Sequence, residues 1–241
     1  MTLRIGIITA PRPRPTVEKS IASLRRAGFN RDVVVFSDGG DPMVQDGIFW
    51  LPNEVPLGNK RNWIRALGHL SSGMLNSEWV MICEDDIVWQ AGASTALQSD
   101  LLYLERSKND LHMVGALSLF ACRRMTKPAE DARGRMKLGA GWHWKDMQFG
   151  KKTWGAQCLV FNREMADWLK NDATFQEYAA REDMDKNIDL IIGECLNRQG
   201  RKILYRIPCL VDHVLGAGNS SLYGDKDRPN LMTDYFRGPV A

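Results

Sequence analysis

Three adjacent carboxylates, Glu84-Asp85-Asp86, follow directly on the apolar run Trp79-Val80-Met81-Ile82-Cys83. At the mouth of a buried strand such charges repel one another and lose hydration unless a cation lies among them. Oxygen-rich clusters suit hard divalent ions such as Mg²⁺ or Mn²⁺, which in turn bridge the oxygens of a diphosphate. The run itself has the pattern of a strand buried on both faces of a parallel α/β sheet, whose ligands bind at carboxyl strand ends. A solvated acidic turn is the alternative reading of the same three residues.

The elements needed to position that triplet are legible on either side of it. Residues 3–9 read as a strand, 11–15 as a proline-stiffened loop, and 17–27 as a helix with Val17, Ile21 and Leu24 on one face. Thr16 stands where an N-cap is expected and Gly28 where a helix ends. Strands are expected over 32–36 and 47–51, with a helix from 60 to 70 feeding the triplet strand. The alternation is that of βαβ units. Beyond Asp86 the pattern predicts a helix over 94–106 and a strand over 113–120. The stretch from 121 to 153 has little periodicity and reads as a long loop or a pair of irregular strands. A strand over 158–161, helices over 163–170 and 187–199, and a last strand over 201–207 complete the chain, with a loosely held polar tail after Leu222. The expected fold class is α/β, a mixed Rossmann-like sheet flanked by helices. It forms a single domain over 1–241, with a nucleotide half (1–118) and an acceptor half (119–241).

Size and composition agree with this. A chain of 241 residues with 44% apolar and 25% charged residues has the make-up of a soluble globular protein. No stretch approaches the ~20 apolar residues of a membrane span, and the first residues turn strand-like too soon for a signal peptide. Five cysteines without CxxC spacing fit neither a disulfide framework nor a structural zinc site. A reducing cytoplasm is the expected compartment. The net charge of +3 is unevenly spread: residues 121–154 hold nine Lys and Arg against three Asp and Glu, leaving −3 for the remainder.

Four places, in order, carry a resemblance. They are Ile7-Ile8-Thr9-Ala10-Pro11-Arg12 with Ser37-Asp38-Gly39, then Gly58-Asn59-Lys60-Arg61-Asn62, then Glu84-Asp85-Asp86. The fourth is Pro208-Cys209-Leu210-Val211-Asp212-His213-Val214 with Asn219-Ser220-Ser221-Leu222. Over residues 3–222 the chain resembles the GT-A fold glycosyltransferases. The acidic triplet stands in the place of that family's DXD motif, and the last run is similar to a C-terminal signature of several GT-A branches. The resemblance implies a nucleotide-sugar donor, a UDP-sugar first, and a divalent metal, Mn²⁺ or Mg²⁺. Asp86 and His213 would be metal ligands, the imidazole favouring manganese. Glu84 or Asp85 would accept ribose hydroxyls.

Thr9, Ala10, Pro11, Arg12 and Asp38 would flank the base and ribose, because first and second strand ends of a parallel sheet converge on one crevice. Asn59 and Arg61 would meet the diphosphate at a helix start, the guanidinium suiting phosphate. Trp154 and Gly155 would line the donor sugar or acceptor. An inverting enzyme needs a carboxylate base for the acceptor hydroxyl. Asp189 at the head of a helix fits that place, with Glu182 and Asp183 in competition. A retaining mechanism would need none of them.

The acceptor is open at this level. The basic window interleaves Arg123, Arg124, Arg133, Arg135 and Lys137 with Trp142, His143, Trp144 and Trp154. Cations neutralise phosphates and indoles stack on bases, but indoles stack equally on sugars. DNA with hydroxymethylated pyrimidines, the acceptor of phage-type DNA-modifying transferases, is one reading. A glycan, a lipid-linked sugar and a protein hydroxyl are others, and so is a solvated basic loop. A nucleotidyltransferase would carry a Gly-rich phosphate loop where residues 9–15 carry proline. A metal-dependent nuclease would leave the first half without a role. A non-catalytic GT-A-like binding module remains an alternative.

Overall fold

The computed structural model describes residues 2–11, 15–39, 42, 45–73, 78–107, 114–120, 137–138, 142–144, 156–181, 187–206 and 209–213. Eleven strands and six helices are formed among them. In chain order they are β1 (Thr2–Thr9), α1 (Val17–Arg26), β2 (Val33–Ser37), β3 (Ile48–Pro52), α2 (Gly58–Ser71), β4 (Glu78–Glu84), β5 (Ile87–Trp89), α3 (Ala93–Arg106) and β6 (Val114–Ser118). There follow β7 (Lys137–Leu138), β8 (Trp142–Trp144), β9 (Cys158–Asn162), α4 (Arg163–Asn171), α5 (Ala173–Ala180), α6 (Ile188–Arg198), β10 (Lys202–Arg206) and β11 (Val211–His213).

Nine strands make one sheet in the order β3-β2-β1-β4-β9-β6-β10-β8-β7. The first four are mutually parallel. β9, from the second half of the sequence, runs antiparallel between β4 and β6. β10 is parallel to β6, and β8 and β7 follow antiparallel. A second, two-stranded ribbon pairs β11 with β5, His213 lying opposite Ile87. The mixed sheet is the α/β architecture expected. The nucleotide and acceptor segments interleave in it, since β9 is seated between two strands of the first half.

The packing follows from the apolar patterning. β4 is buried along nearly its whole length, and its polar first residue, Glu78, is held by Arg4 at 3.0 Å. Helix α1 buries Val17, Ile21 and Leu24, and α2 buries Trp63, Ala66, Leu67 and Leu70, each set spaced as one helical face. Each Val, Ile or Leu among them contributes about 1.5–3 kcal/mol on burial. Trp63 meets Phe161 of β9 and Phe175 of α5 edge to face at 5.8 and 6.4 Å, so three elements share one aromatic joint. Close approach of α2 to the sheet requires Gly6, where an added Cβ would stand 2.6 Å from the Leu70 methyl. No helix among the described residues is long and apolar enough to cross a membrane.

Three local expectations are corrected. Thr16 is the N-cap residue of α1, but its buried hydroxyl makes no capping bond. A helix forms over 173–180, where the sequence reading placed none; the Asp172 carboxylate accepts from Phe175 N–H at 2.8 Å and starts it. A short strand forms over 211–213, where the sequence reading placed none, and His213 is its last residue. Arg12, Arg123, Arg124, Arg133, Arg135, Trp154, Gly155, Glu182, Asp183 and the tail after Leu222 lie outside the described residues. Of the basic window, only the backbone paths of 137–138 and 142–144 are described.

Candidate functional site

The ends of β1, β2 and β4 meet at one sheet edge. Asp38 N–H donates to the Thr9 carbonyl at 2.9 Å, and Ile8 pairs with Glu84. Glu84 ends β4, and Asp85 and Asp86 form the turn into β5. The triplet therefore stands at the carboxyl edge of the parallel strands, the edge at which α/β sheets bind ligands.

Its three carboxylates have separate situations. Asp85 is 1% exposed and accepts from the Thr9 hydroxyl at 2.5 Å. That contact ties β4 to β1 and turns both residues inward, so neither has the ribose-facing position expected of it. Glu84 is only partly buried. Asp86 faces the β11 ribbon: its Oδ1 lies 3.8 Å from Nδ1 of His213. Residues 127 positions apart are brought together because β11 pairs with β5, directly after the triplet. The ring of Phe120 meets His213 edge to face at 5.2 Å and fixes the imidazole plane. Nothing in the sequence pattern marked Phe120 for this.

A carboxylate oxygen and an imidazole nitrogen 3.8 Å apart are too distant for a hydrogen bond. Two ligands on one hard ion, with bonds of about 2.0–2.2 Å, span such a gap. Both side chains are largely buried, at 14% and 25% exposure, and the oxygen–nitrogen donor set suits Mn²⁺ better than Mg²⁺. No cluster of three or more metal-ligating side chains occurs among the described residues. The pair could supply two ligands of such an ion.

On the nucleotide side the structure reassigns two expectations. The Asp38 carboxylate accepts from Asn53 Nδ2 at 2.7 Å, from Leu57 N–H at 2.5 Å and from Gly58 N–H at 2.8 Å. It is an anchor for the start of α2, not a free group beside a base. That carboxylate takes up two of the amides at the start of α2, whose first turn carries Asn59 and Arg61. Arg61 reaches across to the Ala180 carbonyl at 2.9 Å and braces α2 against α5. Asn62, wholly buried, donates to the Phe36 carbonyl at 2.9 Å. The 58–62 motif thus holds the crevice wall. Ala10 and Pro11 are exposed beside it, where a base could stack.

Asp189 occupies the first turn of α6 and accepts from Leu190 N–H at 2.9 Å. β4, β6 and β10 point the same way, the first two being antiparallel to β9 and β10 being parallel to β6. Helix α6 precedes β10 by a short turn and packs back on it. At about 1.5 Å per residue it spans the same ~16 Å as the strand. Its start, with Asp189, therefore returns to the edge that carries the triplet. The β7–β8 pair brings the basic window to that sheet as well, Trp142 lying opposite Arg206 at the end of β10.

Solved structures similar to the chain include the following two. The crystal structure of S. aureus TarS matches with a TM-score of 0.50 over 85% of this chain and 35% of its own, at 11% identity. GalNAc-T7, solved with UDP, GalNAc and Mn²⁺, matches with a TM-score of 0.55 over 91% of this chain and 45% of its own, also at 11% identity. The chain has the GT-A fold. It spans less than half the length of either neighbour. No family model and no curated protein matches its sequence.

Proposed function

We propose that the protein is a metal-dependent glycosyltransferase that moves a sugar from a nucleotide-sugar donor, a UDP-sugar first, to an acceptor hydroxyl with inversion. The observation that carries this reading is the pairing of Asp86 with His213 at the carboxyl edge of a GT-A sheet. The bound UDP and Mn²⁺ of the GalNAc-T7 structure support the choice of donor and ion. Asp86 and His213 would hold Mn²⁺, which when bound neutralises the diphosphate as it leaves.

Glu84 accepts hydrogen bonds from ribose hydroxyls, and Asp85 is kept in place by Thr9. Asp189 takes the proton of the acceptor hydroxyl as its oxygen bonds to the anomeric carbon. The bond from that carbon to the phosphate oxygen breaks, and its electron pair departs on the diphosphate. Glu182 and Asp183, just before α6, are the competing bases.

The test is calorimetric titration with UDP in Mn²⁺ and in EDTA, together with UDP release from a panel of UDP-sugars. Metal-dependent binding and turnover are expected, both lost in Asp86→Ala and weakened in His213→Ala. Equal UDP affinity with and without metal, or full activity of Asp86→Ala, would sink the reading. Binding without UDP release or transfer would leave a binding module. For the acceptor, binding to hydroxymethylated and unmodified DNA at several salt concentrations separates classes. A polyanion contacted by Arg133, Arg135 and Lys137 loses a slope of about 0.9 per neutralised contact, whereas a neutral glycan shows almost no salt slope.

A further inference from the structure

We infer that Gln157 binds the transferred sugar, its side-chain amide holding a sugar hydroxyl; the inference rests on the glycosyltransferase reading above. Gln157 immediately precedes β9, and its carbonyl accepts from Glu84 N–H at 2.8 Å. That bond carries the β4–β9 ladder one pair beyond Cys83–Cys158. Gln157 and Glu84 are thus cross-strand neighbours projecting to one face of the sheet.

Two packing contacts identify the face. Gly6 pairs with Ile82 and lies under Leu70 of α2; two residues on, Ile8 pairs with Glu84 in the same phase. On β9, Phe161 meets Trp63 of α2, and position 157 is in phase with it. Glu84 and Gln157 therefore project on the side of α2. Helix α6, whose first turn carries Asp189, packs against α2.

The amide oxygen of Gln157 is closed off from solvent and has no hydrogen-bond partner among the described residues. Leaving a buried carbonyl unpaired costs about 1–3 kcal/mol, which a hydroxyl of the bound sugar would offset. A carboxamide both accepts and donates, as a sugar hydroxyl does. Being neutral, it adds no charge to the triplet that must face a diphosphate.

Its place in the strand order gives the part of the donor it meets. The crevice ends of β2 and β1 lie on the nucleotide side, and β4 holds the acidic turn. β9 is the next strand toward the acceptor segments. Gln157 stands one strand beyond Glu84, on the sugar side of the diphosphate.

The experiment compares wild type with Gln157→Ala and Gln157→Asn, each titrated in Mn²⁺ with UDP and with a UDP-sugar that the wild type binds. The alanine variant should bind UDP as the wild type does and lose about tenfold in affinity for the UDP-sugar, the size of one hydrogen bond. The asparagine variant, which keeps the amide but withdraws it by one methylene, should fall between. Retained UDP affinity shows that the variants are folded. Unchanged UDP-sugar affinity in Gln157→Ala, or equal losses for UDP and UDP-sugar, overturns the assignment. A wild-type protein that binds no UDP in Mn²⁺ brings down the transferase reading itself.

Discussion

The Asp38 carboxylate, at the end of β2, receives the N–H of Gly58 at 2.8 Å. The second strand end of the crevice is thereby fastened to the first turn of the helix that leads into β4. A residue in the position of a nucleotide contact is a structural tie, and this separates the effects of mutation on folding from those on binding.

Asp38→Ala should lower stability by about 1–3 kcal/mol, because three donors lose their acceptor at once. The midpoint of urea unfolding should fall with little change in its slope. Loss of UDP affinity with the midpoint unchanged would return Asp38 to the nucleotide.

Asp189→Asn keeps the shape of the side chain and its contact to Leu190 N–H but removes the carboxylate proposed as the base. Transfer should slow by about 10²–10⁴-fold, with UDP-sugar affinity unaltered. Normal turnover would move the role to Glu182 or Asp183, or point to retention, which the anomeric configuration of the product reads directly.

Arg206 and Asp100 form a buried ion pair at 2.8 Å, joining the end of β10 to α3, with side chains 9% and 7% exposed. Asp100→Ala leaves a guanidinium in that interior and should cost about 3–5 kcal/mol. The double variant Asp100→Leu/Arg206→Met should recover much of this loss. A double variant no more stable than the single one would contradict the argument.

Cys83, Cys158, Cys195 and Cys209 are buried free thiols. Burial raises the Cys158 thiol well above its usual range, helped by a hydrogen bond with Cys83, and pushes Cys195 up to about 11 against Arg198, which pulls it down. Native protein at neutral pH should therefore yield no more than one fast equivalent to a thiol reagent, and five after unfolding. The folded state holds the Cys195 proton more tightly than the unfolded chain does. Its contribution to stability is therefore complete below pH 9.0 and disappears as pH rises toward about 11. Melting temperatures across that interval should fall less steeply for Cys195→Ser.

The sheet and its principal helices were legible because long apolar patterns encode them: β4 is buried up to Cys83, and α1 and α2 repeat their buried residues at helical spacing. The β5–β11 ribbon was not, since two three-residue strands far apart in sequence have no period to read. Helix α5 did leave a trace, the capping Asp172, in a segment too short to show a face. At the site, Glu84-Asp85-Asp86 was visible as a charge anomaly and His213 through the resemblance. Yet sequence could not distribute roles within the triplet. Whether a carboxylate faces Thr9, His213 or solvent depends on strand register and the turn after Glu84. The same limit hid Asp38, whose partners lie 15 to 20 residues downstream.

Gly6 has a reach that its place in β1 does not suggest. Helix α2 is pinned at one end by Asp38 and lies with Leu70, near its other end, over the bare backbone of residue 6. A methyl group there would act as a wedge beneath a lever. Leu70 would have to turn aside, or the helix would have to pivot about its fastened start. Such a pivot would shift Arg61 against the Ala180 carbonyl and, through α5, the approach to α6. The seating of α2, and with it the Arg61 brace to α5, is thus governed partly from the middle of β1.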